Sequence, residues 1–256
     1  MLQATFSGKT AVLAQQKRLD IIANNMANVS TPGYKARTVS FKDALYNNMV
    51  NPTGNTQNNL RRGTGVIVSA MDHNFSQGIP MQTGVSTDFS IDGEGFFSVL
   101  NTQTGETLYT RNGAFALSVE PQGRYLITKE GYYVLDAQGE RIVVPEGDLS
   151  TLSVSANGML AMGTDDSFAQ IGLVTFPNIY GLATVGNNTY EVTDASGNAI
   201  AVPEGTTLRN GYLENSNEDM VTSMVAMIRA QRAFQFASRA LTTADEMDAT
   251  ANNMRR

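Results

Sequence analysis

Cysteine and tryptophan are absent from this 256-residue chain, and histidine occurs once, as His73. Without cysteine there are no disulfides and no thiolate metal sites, so redox chemistry gives no indication of compartment. A single histidine excludes a multi-histidine metal centre and leaves any Ser-His-Asp triad resting on one unsupported residue. Long apolar runs are missing as well. None approaches the roughly 18 residues that a membrane-crossing helix needs, and the opening MLQATFSGK lacks the basic-then-apolar order of a secretory signal. Export, if it occurs, is expected to proceed without signal cleavage.

Phosphate-binding fingerprints are also missing. The glycine-rich fragments Gly63-Thr64-Gly65 and Gly93-Glu94-Gly95 complete neither a dinucleotide motif nor a phosphate loop, and both read as tight turns in β structure. Asp88, Asp92 and Glu94 have the chemistry for a glycosidase pair or a hard cation, yet strand alternation routinely places carboxylates together. No catalytic, cofactor-binding or metal-ligating residue is assigned, and no cofactor is expected.

What is present is an apolar fraction of 41%, enough for a substantial core, and a net charge of −6 that is unevenly distributed. Residues 1 to 62 carry eight Lys/Arg against two Asp/Glu, residues 63 to 211 five against sixteen, and residues 212 to 256 five against six. The basic first segment has little aromatic interleaving, which argues for solvated or subunit-facing charge over nucleic-acid binding.

The two ends read as helices. In a helix read from Thr10 to Asn28, Val12, Gln15, Leu19, Ile22, Met26 and Val29 recur at alternating three- and four-residue steps, the seam of a coiled coil. Near the other end Met220, Met224, Met227, Gln231, Phe234, Ser238 and Leu241 repeat the alternation. The second helix is expected to open at Ser216 with a capping box to Asp219 and to run for about 40 residues. These seams serve either an intramolecular helical pair or an assembly interface. In the second case the two polar interruptions, Gln15 and Gln231, would hydrogen-bond across the interface and fix its register.

Between the helices the period changes. Ser30-Thr31-Pro32-Gly33 signals a helix stop and a turn, Phe41, Leu45 and Tyr46 suit a short helix, and Asn47 to Gly63 reads as an extended connector. From Val66 onward, closely spaced apolar runs predict strands at Val66 to Ala70, Phe96 to Leu100, Glu106 to Thr110, Tyr125 to Thr128, Tyr132 to Leu135, Ile142 to Val144, Leu152 to Ser155, Ile171 to Phe176 and Tyr190 to Thr193. The expected fold class is mixed α and β: long N- and C-terminal coiled-coil helices flanking an all-β antiparallel middle domain. The expected division is an N-terminal helix and turn (1–45), a connector (46–65), a β-rich domain (66–211) and a C-terminal helix (212–256) that packs with the first.

The run Ala23-Asn24-Asn25-Met26-Ala27-Asn28-Val29-Ser30-Thr31-Pro32-Gly33-Tyr34-Lys35 resembles the N-terminal signature of the flagellar rod and hook family of bacterial axial proteins. The resemblance continues through Ser76-Gln77-Gly78, Thr83-Gly84, Asp88, Ile91 to Phe97, Tyr109-Thr110-Arg111-Asn112-Gly113, Gly211 to Asn217, and Met227-Ile228 with Gln231-Arg232-Ala233-Phe234. It spans nearly the whole chain in the right order. Chain length and the lack of a large inserted outer domain are more similar to rod proteins than to hook proteins, and the overall block structure is most similar to the distal-rod type, with a proximal-rod or hook-type subunit as the alternative. The resemblance implies a structural, non-enzymatic subunit of the basal body. It would be exported by the flagellar type III apparatus and polymerise into a torque-transmitting shaft. The implied partners are further copies of itself, neighbouring rod and hook subunits, the rod cap and the surrounding bushing rings. Two other classes fit the residues alone: a secreted glycan-binding β protein, and an adaptor using its coiled coil for one partner.

Overall fold

The computed structural model describes residues 2–48, 61–155, 157–163, 166–203 and 205–254. It contains two long helices, α1 (Leu2–Ala27) and α2 (Met220–Asn253), with a mostly antiparallel β region between them in sequence. The chain divides into two compact units. One comprises Met1–Ala27, Arg37–Asn74 and Asp219–Arg256; the other comprises Asn28–Ala36 and Phe75–Glu218.

In the helical unit, α1 and α2 pack on each other, and α1 also meets the antiparallel pair Arg37–Asp43 and Val66–His73. Residues 37 to 43 are therefore a strand, and the short helix expected around Phe41, Leu45 and Tyr46 does not form. The reason is a period of two: Arg37, Val39 and Phe41 are half-buried, while Thr38, Ser40 and Lys42 are exposed. Leu45 is exposed, and Tyr46–Asn48 pairs with Arg61–Gly63 at the two margins of the expected connector. The middle of that connector, residues 49–60, lies outside the described residues. Asn25 anchors α1 by holding one backbone unit of the strand, its Oδ1 accepting from Arg37 N at 2.9 Å and its Nδ2 donating to Arg37 O at 2.9 Å.

The start of α2 lies three residues beyond the expected cap. Asp219 is itself the N-cap, its carboxylate accepting from Val221 N and Thr222 N, both at 3.2 Å. Ser216 instead accepts from Glu218 N at 3.2 Å, in the turn that precedes the helix. At 34 residues, α2 is about 50 Å long. The hydrogen bonds to Thr222 and Val221 hold the Asp219 carboxyl below its ordinary range, so its contribution is present at neutral pH and is lost as pH falls through the lowered value. Asp219→Ala should speed hydrogen exchange at Val221 and Thr222 while leaving the centre of α2 protected.

The β unit is built around Phe96–Leu100, whose alternating side chains serve two cores. Phe97 and Val99 join Phe89, Leu108, Phe115, Leu126, Val134, Ile142 and others in the larger cluster. Phe96 points into an aromatic cluster with Tyr109, Phe176 and Tyr190. Edge-on ring contacts lock both, with Phe97 and Phe115 centroids 5.1 Å apart and Tyr109 and Phe176 4.9 Å apart. The nine expected strands correspond to observed ones with ends shifted by up to three residues. Several others carried weaker signals. Phe89–Asp92 is short and buried at three of four positions, so no alternation reveals it, and Thr207–Asn210, its antiparallel partner, has only Leu208 as an apolar anchor. Phe115–Glu120 did have a legible pattern, apolar at 115, 117 and 119, followed by Pro121.

Candidate assembly face and buried ionic junction

The residues of α1 that turn inward are Ala14, Ile21, Ile22 and Asn25. On α2 the buried positions are Ser223 and Ala230, flanked by half-buried Ala226, Met227, Ala233, Phe234, Ala237, Ser238 and Leu241. Small residues let the two helices approach closely. A Cβ on Gly8 would sit 3.3 Å from Leu241 Cδ1. The expected α2 seam lies roughly 60° round the helix from the Ser223–Ala230 line, and its residues divide accordingly. Met227, Phe234, Ser238 and Leu241 are half-buried, whereas Met220, Met224 and Gln231 are exposed. Of the α1 seam, Ile22 is buried and Val12, Gln15, Leu19 and Met26 are half-buried. Gln15 Oε1 is closed off from solvent without a hydrogen-bond donor among the described residues, so Gln15 and Gln231 do not pair within the subunit.

The outward side of α2 is distinctive. At 100° per residue, Val221, Val225, Ile228, Arg229, Arg232, Phe236 and Arg239 fall within an arc of about 100°, nearly opposite Ser223 and Ala230. All seven are exposed, Val221 and Phe236 at 69% each.

The second feature lies wholly inside the β unit and was not anticipated from sequence. Glu214, 2% exposed, bridges two buried cations, its Oε1 2.7 Å from Lys35 Nζ and its Oε2 2.7 Å from Arg111 Nε. Gly78 N also donates to Oε1, at 2.8 Å. Lys35 Nζ donates to Ser76 O at 2.8 Å, and the Arg111 guanidinium donates to the carbonyls of Gly93 and Gly95. Asn217 adds a neutral staple: its Oδ1 accepts from Ala36 N at 2.8 Å and its Nδ2 donates to Ser76 O at 3.1 Å. The segments around 33–36, 76–78, 93–95, 111 and 214–217 thus meet at one carboxylate.

Electrostatics explain why it stays charged. Burial alone would push the Glu214 carboxyl up, but Arg111 and Lys35 beside it outweigh this and hold it below its ordinary range. Burial lowers Lys35 below the usual lysine range, and Arg111 adds to this, because one carboxylate serves two cations. The turn that delivers Lys35 requires glycine. Gly33 has φ +67° after Pro32, as a type II turn demands, and a Cβ there would lie 2.7 Å from the backbone of Arg111. Gly33 N further donates to Glu214 O at 2.7 Å.

The signature residues accordingly have separate tasks. Asn25 holds the Arg37 peptide, Pro32 and Gly33 shape the turn, and Tyr34 is buried beside Lys35 in sequence. Asn28 closes the end of α1, its carbonyl accepting from Thr31 N at 3.1 Å. Asn24, Gln231 and Arg232 are exposed and Ala233 is half-buried. Lys35, Arg111 and Glu214 stood inside motifs noted for their resemblance, but separations of 103 and 179 residues give no spacing signal that would join them.

Of the three carboxylates weighed for catalysis, Glu94 is exposed and the other two are engaged. Thr83 Oγ1 donates to Asp88 Oδ2 at 2.6 Å, and Asp92 is paired with Arg209. Among the described residues there is no group of three or more His, Cys, Asp or Glu placed to hold a metal, and no helix is long and apolar enough to cross a membrane.

Three family models match the chain: "Flagella basal body rod protein" over residues 7–35, "Flagellar hook protein FlgE/F/G D1 domain" over 90–162, and "Flagellar basal body rod FlgEFG protein C-terminal" over 209–254. The first reaches Lys35 and the third includes Glu214. The middle match contains Arg111, so each model contributes one charge of the junction. Full-length relatives are similar throughout. The flagellar basal-body rod protein FlgG of Borreliella burgdorferi is 35% identical, with 100% of each chain covered. That of Bacillus subtilis is likewise 35% identical over 100% of each chain, and that of Agrobacterium fabrum is 34% identical over 96% of this chain and 97% of its own. Helical ends, a β region between them and a junction drawn from all three matched segments agree with these likenesses: the chain belongs to the FlgG family of flagellar basal-body rod proteins.

Proposed function

We propose that this chain is a structural subunit of the distal rod of the bacterial flagellum, polymerising into the helical drive shaft that carries torque to the hook. The observation that carries this reading is the full-length similarity to FlgG proteins, joined to a helical pair that leaves an apolar and cationic face of α2 uncovered. A contact between unlike surfaces whose rotation does not close generates a filament. The terminal helices of successive copies pack side by side through coiled-coil-like seams that use Met220, Met224 and Gln231 together with Val12, Leu19 and Met26.

The buried junction suits a mechanical role. Segments 28–36, 75–78 and 214–218 of the β unit are those through which the chain passes to and from the helical unit, and the Glu214 and Asn217 contacts tie all three together. Load arriving along any covalent path reaches the same node.

The remaining partners follow from the reading: neighbouring rod and hook subunits, the rod cap, the bushing rings, and the flagellar type III apparatus that exports the chain without signal cleavage. The test is electron cryotomography of isolated basal bodies carrying a tagged copy. Label along the distal rod is the expected result. Label on the proximal rod or the hook would reassign the subtype, and absence from basal bodies would refute the reading.

A further inference from the structure

The β unit carries a cleft of about 700 Å³ that takes no part in the ionic junction, and its size is that of an ordinary small-ligand site. Ser98 and Tyr109 line it. They stand directly opposite each other on the paired strands Phe96–Leu100 and Thr107–Thr110, so their side chains leave the same face of the sheet. Both are buried, at 7% and 9% exposure. The Ser98 backbone is fully engaged, its N donating to Gly172 O at 3.0 Å and its O accepting from Leu135 N at 2.9 Å. Neither the Ser98 nor the Tyr109 hydroxyl is hydrogen-bonded among the described residues, and neither oxygen is sealed from solvent. Buried polar groups are normally paired, so two unpaired hydroxyls on the floor of one cleft point to a ligand that pairs them.

We infer that this cleft binds a neutral saccharide, whose hydroxyl or acetamido groups pair with the hydroxyls of Ser98 and Tyr109. The site lies within the β unit alone and does not depend on the rod-subunit reading. Charge narrows the ligand class first. Asp136 is the only charged residue of the lining, and its Oδ1 already accepts from Ala137 N at 2.6 Å and Gln170 N at 3.1 Å. No second carboxylate stands beside it to hold a cation. An anion fits no better, because the lining has no Lys, Arg or His and the β unit holds six Lys/Arg against seventeen Asp/Glu, a net −11. A wholly apolar ligand would leave both floor hydroxyls unpaired. What remains suits a sugar: hydroxyls on the floor, the exposed carboxamides of Gln138 and Asn157 at the rim, and Val174, Ile200 and Val202 for C–H faces or an acetyl methyl. The Tyr109 ring packs edge-on against Phe176 at 4.9 Å, which fixes its hydroxyl in place. Burial pushes that hydroxyl above the ordinary tyrosine range, so it stays a neutral donor near pH 7.

The test uses the full-length chain with two neutral probes, triacetylchitotriose and maltotriose, and one anionic probe, trigalacturonic acid. Binding is followed by saturation-transfer NMR and by amide shifts of the protein. Saturable binding of either neutral probe, with shifts at Ser98, Tyr109 and Gly172, is the expected result. The double variant Ser98→Ala, Tyr109→Phe removes two oxygens and keeps both packed side chains, so it should weaken binding roughly tenfold with a melting temperature near that of wild type. Ile200→Arg acts from an exposed position at the cleft, where the core is not disturbed, and should abolish binding by bulk. Failure of both neutral probes to bind at about 10 mM would overturn the proposal. So would binding undiminished in both variants, shifts confined to residues outside the cleft, equal binding of the anionic probe, or an uncharged peptide binding in place of the sugars.

Discussion

Replacing Glu214 with alanine should lower the stability of the β unit by about 3 to 5 kcal/mol, because it strands Lys35 and Arg111, both buried, without their only shared anion. Gly78 N loses its acceptor in the same step. Glu214→Gln keeps a hydrogen-bond acceptor of nearly the same shape but no charge, so it should be destabilised by a smaller amount. Guanidinium unfolding followed by tyrosine fluorescence reports on this region, since eight of the nine tyrosines lie in the β unit. Acid sensitivity gives an independent check. The folded-state value of Glu214 lies below its ordinary 4.5, so its stabilising contribution is complete above that pH and is lost as pH falls through the lowered value. The stability difference between wild type and Glu214→Gln should therefore be constant near neutrality and shrink on acidification. A difference that stays constant down to pH 3 would show that the junction is not held by charge.

The junction also shows where reading a sequence stops. Helix existence, the Thr31-Pro32-Gly33-Tyr34 turn and nine strands were legible, because each is encoded by neighbours in the chain: a three-four step, a Pro-Gly pair, or an apolar run between glycines. The strand at Arg37–Asp43 was misread as helix because Phe41, Leu45 and Tyr46 outweighed the period-two pattern of smaller residues. The α2 cap was displaced because Ser216 and Asp219 both offer capping chemistry, and only the backbone decides between them. The Lys35, Arg111 and Glu214 node could not be read at all. Its members come from opposite ends of the chain and from the middle, and each looks like an ordinary surface charge until the fold removes water from it. Heptad spacing identified a helix with a packing side: within the subunit Met227, Phe234, Ser238 and Leu241 of that seam are half-buried and Leu241 lies against Gly8 of α1, while Met220, Met224 and Gln231 are exposed.

Met227 belongs to the half-buried part of that seam, next to the Ser223–Ala230 line. Met227→Asp should remove apolar contact and set a carboxylate where water is partly excluded, costing about 2 to 3 kcal/mol in the helical unit. In a polymer the loss recurs at every subunit, so a moderate cost to one chain becomes a failure of assembly. Arg229 is exposed, about 200° further round the helix, and its single replacement by alanine should have a far milder effect, because two more arginines share its face. The β unit contains neither residue and should keep its core protected from hydrogen exchange in both variants.

Rod formation in cells producing each variant, with hydrogen exchange of the purified full-length chains alongside, is the most direct test of assembly through the terminal helices. The account predicts no distal rods and no motility with Met227→Asp, near-normal rods with Arg229→Ala, and undiminished amide protection in Phe96–Leu100 for both. Normal rods with Met227→Asp, or equal failure of the two variants with the β unit intact, would contradict it.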